Sequence, residues 1–396
     1  MKHLKKFNTE TQYNSFKNSS EYVEPNVSFV KNTPEVKFTR RDPILKFTAV
    51  QANSTIKLNR VGTATTLANA VLQYSTNNGE TCNDYTLGNT ITLDNVVNSV
   101  KFKGTNATLG TNSSNYHKFV MTGKIKASGD ITSLFNEVGG DFAMPSYGCT
   151  CMFIGCASLI AAPELPATTL AQYCYQNMFN GTSLTTAPEL PAMTLASTCY
   201  MNMFYGCTLL TTAPKLPAMT LAKHCYNGMF CGCTSLTTAP KLPATTLAQY
   251  CYSYMFQNCI SLTAAPKLPA TTLTINCYSS MFQGCTSLTM APELPAMTLA
   301  NNCYSNMFYG CTSLITAPEL PATTLITSCY FYMFYGCSNL NYIKALFKTT
   351  PSTTYTNSWV KGVSSTGTFV KNSEAQWDVI DIYGVPTGWT VQTVAA

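Results

Sequence analysis

A mixed α/β solenoid of about eight 26-residue units, preceded by a small β-sandwich and an extended N-terminal arm, is the fold this sequence predicts. Three observations predict it. The Met-Phe pair recurs at Met152, Met178, Met203, Met229, Met255, Met281, Met307 and Met333, at a step of 26 broken once by 25, where "MFNGTSL" lacks the Cys of "MFQGCTSL". A fixed period of roughly 20 to 50 residues marks units that each leave an apolar face bare until a neighbour covers it. Ahead of the repeats, short runs such as "LKFTAV", "STIKLNRV" and "NSVKFKG" alternate apolar and polar residues between Asn, Gly, Ser and Thr, the signature of short strands. Ahead of those, "EPNVS" and "NTPEV" break any helix.

Taken in order, residues 1–43 read as an extended docking arm and 44–142 as a β-sandwich that spaces and caps the repeats. Within it, "LQYSTNNGETC" at Leu72 to Cys82 carries a hairpin signal in Asn-Asn-Gly. Residues 143–342 are the solenoid. In one unit, Leu299, Cys303 and Met307, with the adjacent Tyr304 and Phe308, fall at helical spacing, with Thr298 as N-cap and Gly310 as the stop. The other half, "SLTMAPELP", reads as an extended segment with Leu288, Ala291 and Leu294 inward. Pro292 and its counterparts lack the amide hydrogen of a parallel ladder, so the paired strand is brief or broken there. Residues 343–396, with all three tryptophans, read as a C-terminal β-like cap.

Composition narrows the function. Only 11% of residues are charged, and the repeats hold four lysines against four glutamates. Such a surface of Thr, Ser, Asn, Gln and Tyr suits neutral partners rather than nucleic acid. The net charge of +6 sits mostly at the N-terminus, where residues 1–46 hold nine Lys or Arg against five acids. The eighteen cysteines fall mainly in two repeat columns, Cys174 to Cys329 before Tyr and Cys156 to Cys337 near the end of the Met-Phe segment. Columns of this kind read as small buried thiols, not disulfides. With only His3, His117 and His224 in the chain, no metal site, cofactor site or catalytic constellation emerges, and the protein reads as a non-enzyme.

Positions that vary between units mark the exposed face. Tyr205, Tyr309 and Tyr335, each after a Met-Phe pair, are candidate stacking surfaces for a sugar or a protein. Lys215, Lys241 and Lys267, flanked by Glu164, Glu189, Glu293 and Glu319 in one column, are a candidate strip for an anionic ligand or an oppositely charged subunit.

The repeated "C-T-S-L-T-T-A-P-E-L-P…M-F-x-G-C" resembles the BspA-like class of leucine-rich repeats of bacterial surface proteins, with Met-Phe in place of Ala-Phe and a Pro in the strand. That resemblance implies a curved adhesive solenoid. The segment Leu4 to Phe38 is similar to the N-terminal segment of structural proteins in phages of the Bacteroidales, including crAss-like phages, and the "GVPTGWTV" ending resembles that of Bacteroidales surface and phage repeat proteins. No apolar stretch follows the basic "MKHLKKFNTE" start to make a signal peptide, and no run of 18 apolar residues spans a membrane. The expectation is a virion surface protein of a Bacteroidales phage, a homo-oligomer. Its arm would hold other virion proteins and its solenoid a host-surface glycan, mucin or protein. The alternative is a bacterial BspA-like cell-surface adhesin.

Overall fold

The computed structural model describes residues 43–395, so the arm expected over residues 1–43 lies, but for Pro43, outside the described residues. Two sheets come first. One has the order β10-β9-β1-β6-β3-β4, built from β1 (Leu45–Ala49), β3 (Leu72–Ser75), β4 (Asn83–Asp84), β6 (Ser99–Gly104), β9 (Ile125–Ser128) and β10 (Leu159–Ala161). The other has the order β5-β2-β8-β7, from β2 (Ser54–Val61), β5 (Ile91–Leu93), β7 (Gly110–Asn112) and β8 (Asn115–Thr122). Their inner faces meet through Phe47 and Phe119, with ring centroids 4.8 Å apart, and Phe102 against Phe119 at 5.4 Å. The Asn-Asn-Gly segment connects β3 to β4, which pair antiparallel. β10 already belongs to the first repeat and pairs parallel with β9, so the sheet runs on into the solenoid.

The helix expected in each unit is not there. Among the described residues the α-helix that forms is α1 (Ser133–Asn136), outside the repeats. From Asn302 to Cys311 the backbone instead makes consecutive turns. The N–H groups of Ser305, Met307, Tyr309 and Cys311 each donate to the carbonyl three residues back, at 3.0 to 3.2 Å. Those of Tyr304, Asn306, Phe308 and Gly310 donate instead to the next coil, to the carbonyls of Cys329, Phe331, Met333 and Tyr335 at 2.7 to 3.1 Å. Every fourth residue, Asn302, Asn306 and Gly310, has φ of +55°, +55° and +69°. A left-handed residue every four positions cannot continue an α-helix, and its amides turn to the neighbouring coil. The side-chain period is therefore 4.0, two in and two out, which a spacing of Leu299, Cys303 and Met307 imitates as helical.

The inward pairs stack along the axis. Phe153, Phe179, Phe204, Phe230, Phe256, Phe282, Phe308 and Phe334 form a ladder with centroids 5.5 to 5.7 Å apart. Tyr175 to Tyr330 form a second at 5.8 to 6.1 Å. Both ladders and both Cys columns are buried. Each stacked aromatic pair adds about 0.5 to 1.5 kcal/mol beyond burial of area. The first ladder continues at one end into Phe119 of β8, 5.6 Å from Phe153, and at the other into Trp359, 5.9 Å from Phe334. Leu221, Leu247, Leu273, Leu299 and Leu325 are buried, whereas Leu170 and Leu195 of the same column are half-buried.

In the extended half of each coil, isolated bridges such as Thr186 to Thr212 and Thr238 to Ala264 replace a continuous ladder. The residue pointing inward beside Leu288 and Leu294 is Pro292, with Ala291 only half-buried, a correction to the sequence reading. Proline has no N–H, so the ladder stops at it. The C-terminal coils carry the control: Lys344 and Val370 stand where Pro318 stands one and two coils earlier, and there true parallel strands form. These are β11 (Tyr342–Ala345), β12 (Thr368–Asn372) and β13 (Thr390–Val394), in that order. The three indole N–H groups are satisfied by backbone, Trp359 on the Gly384 carbonyl, Trp377 on Phe347 and Trp389 on Ser364, at 2.7 to 3.2 Å.

Candidate binding face

The turns project two residues outward after each inward pair, so outward side chains also align in columns. The column after Met-Phe forms a linked series. The Cys231 thiol donates to Gln257 Oε1 at 3.4 Å, and Gln257 Nε2 to Gln283 Oε1 at 3.0 Å. Farther along, Tyr309 and Tyr335 stack at 4.8 Å with their planes 1° apart, and Lys361 Nζ lies 5.7 Å from the Tyr335 ring centre. Tyr332 meets Tyr335 edge-on at 5.6 Å, and Phe331 meets Tyr332 at 4.6 Å. The neighbouring left-handed column, just before Cys-Tyr, stacks Tyr147 on Tyr173 at 4.7 Å and His224 on Tyr250 at 4.6 Å.

This geometry divides the three tyrosines singled out from the sequence. Tyr309 and Tyr335 come together but are half-buried and spend ring faces on each other and on Lys361, so they offer edges and hydroxyls rather than open stacking faces. Tyr205 is 44% exposed and carries no stacked ring among the described residues. Tyr254, also exposed, and the His224–Tyr250 pair escaped the sequence reading. The signal for the pair was the variable "KH" and "QY" before Cys-Tyr, whereas Tyr254 stands in the "SY" just before Met255.

Lys215, Lys241 and Lys267 lie on the extended half of the coil, away from the tyrosine column in each unit, and are exposed. None has an ion-pair partner among the described residues, whereas Glu319 at the end of the acidic block pairs with Lys344 at 3.0 Å. The structure thus leaves two separate outward features, one aromatic and amide-bearing, one basic.

The interior thiols are held in their protonated form. Burial pushes the Cys285 thiol up to about 12 and the Cys277 thiol up to about 11, so both stay protonated at neutral pH. All eighteen cysteines are free, and only Cys82 is exposed. Among the described residues no group of three or more His, Cys, Asp or Glu is placed to hold a metal ion, and no helix is long and apolar enough to cross a membrane.

A family model described as BspA type Leucine rich repeat region matches residues 151–289 and 249–364, in six copies, together more than half of the chain. The chain belongs to the BspA-type leucine-rich-repeat family. The matched span holds the coils whose turns, thiol columns and aromatic ladders are described above. Repeats of the BspA type are typical of surface-exposed, adhesin-like, generally non-enzymatic proteins. No curated protein and no solved structure matches the chain.

Proposed function

We propose that this BspA-type protein is a non-enzymatic surface-display protein whose turn face binds a neutral, hydroxyl-rich ligand, a host-surface glycan or mucin, along the solenoid axis. The observation that carries the proposal is the outward column from Tyr205 to Lys361. It combines one exposed tyrosine without a stacked ring, a hydrogen-bonded pair of amides at Gln257 and Gln283, and the hydroxyl edges of Tyr309 and Tyr335. Amides and phenols in register suit the repeated hydroxyls of a linear polymer, and an almost uncharged wall does not repel it. A panel of immobilised neutral and anionic host glycans tests this. Retention of neutral polymers that persists at high salt supports it, and retention of none of them contradicts it.

The setting we favour is the surface of a phage virion, with the basic arm held by other virion proteins. Its support is the likeness of Leu4 to Phe38 to phage structural proteins. The family match is equally consistent with a second reading, a bacterial cell-surface adhesin. Mass spectrometry of purified particles and of outer membranes separates them, since the protein is enriched in one fraction or the other.

A further inference from the structure

The last strand, β13, ends the stack with its outer edge unpaired among the described residues. Its second residue, Val391, continues an inward column that is fully buried one and two coils earlier, at Phe369 and Ile343, yet Val391 is 40% exposed. Ile380 and Ile382 of the same last coil are exposed too. A solenoid whose core column opens to water at one end presents both an apolar face and a free row of backbone donors and acceptors, the combination that strand addition uses.

The chain contains a segment that fits this end. β12, whose both edges are paired, reads "TFVKN" at Thr368 to Asn372, and the arm reads "SFVKN" at Ser28 to Asn32. The shared residues each do something in β12. Phe369 packs against Trp359 and Trp377, with ring centroids 6.2 Å away in both cases. Asn372 Nδ2 donates back to the Leu346 carbonyl of the preceding coil at 3.3 Å. In the same register, Ser28 would face Thr390, Phe29 would cover Val391, and Asn32 would reach a carbonyl beside Val394.

Reach decides whose arm it is. Eleven residue steps from Asn32 to Pro43 span at most about 36 to 40 Å when fully extended. From β1 to β13 the stack has eleven coil or strand steps of about 4.8 Å each, about 50 Å. The arm is thus shorter than the stack it would have to follow, which points to β13 of a second copy rather than its own.

We infer that Ser28 to Asn32 of one copy pairs as an added parallel strand with β13 of a second copy. The contact is head to tail, and because the two surfaces differ it propagates to a ring or a filament. It is independent of the glycan reading.

The test uses two full-length variants, Phe29→Asp and Val391→Asp, the second at a 40% exposed position, with circular dichroism to verify that each is folded. Light scattering across a concentration series should show wild type growing beyond a monomer and each variant alone remaining monomeric. Mixing the two should give a dimer and nothing larger, because one intact arm and one intact end remain. A peptide of residues 26–36 should bind the Phe29→Asp protein and not the Val391→Asp protein. A wild type that stays monomeric at high micromolar concentration, a variant that assembles like wild type, or a peptide that binds both variants equally overturns the inference.

Discussion

The thiol of Cys285 donates to the carbonyl oxygen of Phe256, one coil earlier, at 3.0 Å. The same bond recurs from Cys207 to Cys337, and Cys156 makes it to Phe119 of β8, so the first coil docks on the sheets as coils dock on one another. In the unit one residue short, Thr182 stands in the Cys position, buried, and its hydroxyl donates instead to the Phe179 carbonyl of its own coil at 2.9 Å. Cys285→Thr, whose hydroxyl can donate to its own coil as that of Thr182 does, should therefore cost less than the isosteric Cys285→Val, which offers no donor at all, a difference of about 1 kcal/mol. Urea denaturation of the two variants checks the order.

Phe282 lies between Phe256 and Phe308 at 5.7 Å from each. Phe282→Ala should destabilise by about 3 to 5 kcal/mol, because the coils above and below cannot close on the void without breaking their amide bonds. A midpoint shift worth under about 1 kcal/mol would place the ring outside a packed core.

The period and the inward columns of Cys and Met-Phe were legible in the sequence because strict repetition leaves few other places for apolar residues. The helix was misread for a specific reason. A spacing of four residues satisfies both an α-helix and a chain of turns, and the distinguishing residues are the left-handed ones. In one unit these are Asn302, Asn306 and Gly310, residue types that tolerate positive φ, but in others they are Tyr250 and Tyr254 or Ser328 and Tyr332, which do not announce it. Gly228 stands at one such place, with φ of +60°, in the same column as Tyr254, Ser280 and Asn306. On the surface, the variable columns named Tyr309 and Tyr335 but not that their faces would be used on each other, because stacking between units depends on the rise of the coil.

His117 of β8 is buried, with Nδ1 3.2 Å from the Leu109 carbonyl and Nε2 without a partner. Burial, opposed by the Leu109 carbonyl and aided by nearby Arg60, holds its pKa below the ordinary value near 6.5. The unfolded chain then binds a proton that the folded one resists, so stability is full above about pH 6.5 and falls as pH drops below it. Urea midpoints from pH 7.5 to 5 should fall for wild type and stay flatter for His117→Gln. Parallel curves would mean that His117 titrates alike in both states.

Lys215, Lys241 and Lys267 occupy successive coils roughly 4.8 Å apart, within a Debye length of about 8 Å, with no ion-pair partner among the described residues. Converting all three to Gln should leave stability within about 0.5 kcal/mol per site. If the strip reads an anionic ligand, the same change abolishes the salt dependence of binding. An interaction that ignores salt in wild type leaves the strip without that role.

The most direct test of the adhesive account is the binding of wild type and of the Tyr205→Ser, Tyr309→Ser, Tyr335→Ser variant to host cells and to the neutral glycans that wild type retains. All three rings lie on the outer column, so the variant should keep the thermal transition of the stacked core. The account predicts at least a tenfold loss of affinity, about 1.4 kcal/mol. A folded variant that adsorbs as wild type does would contradict it.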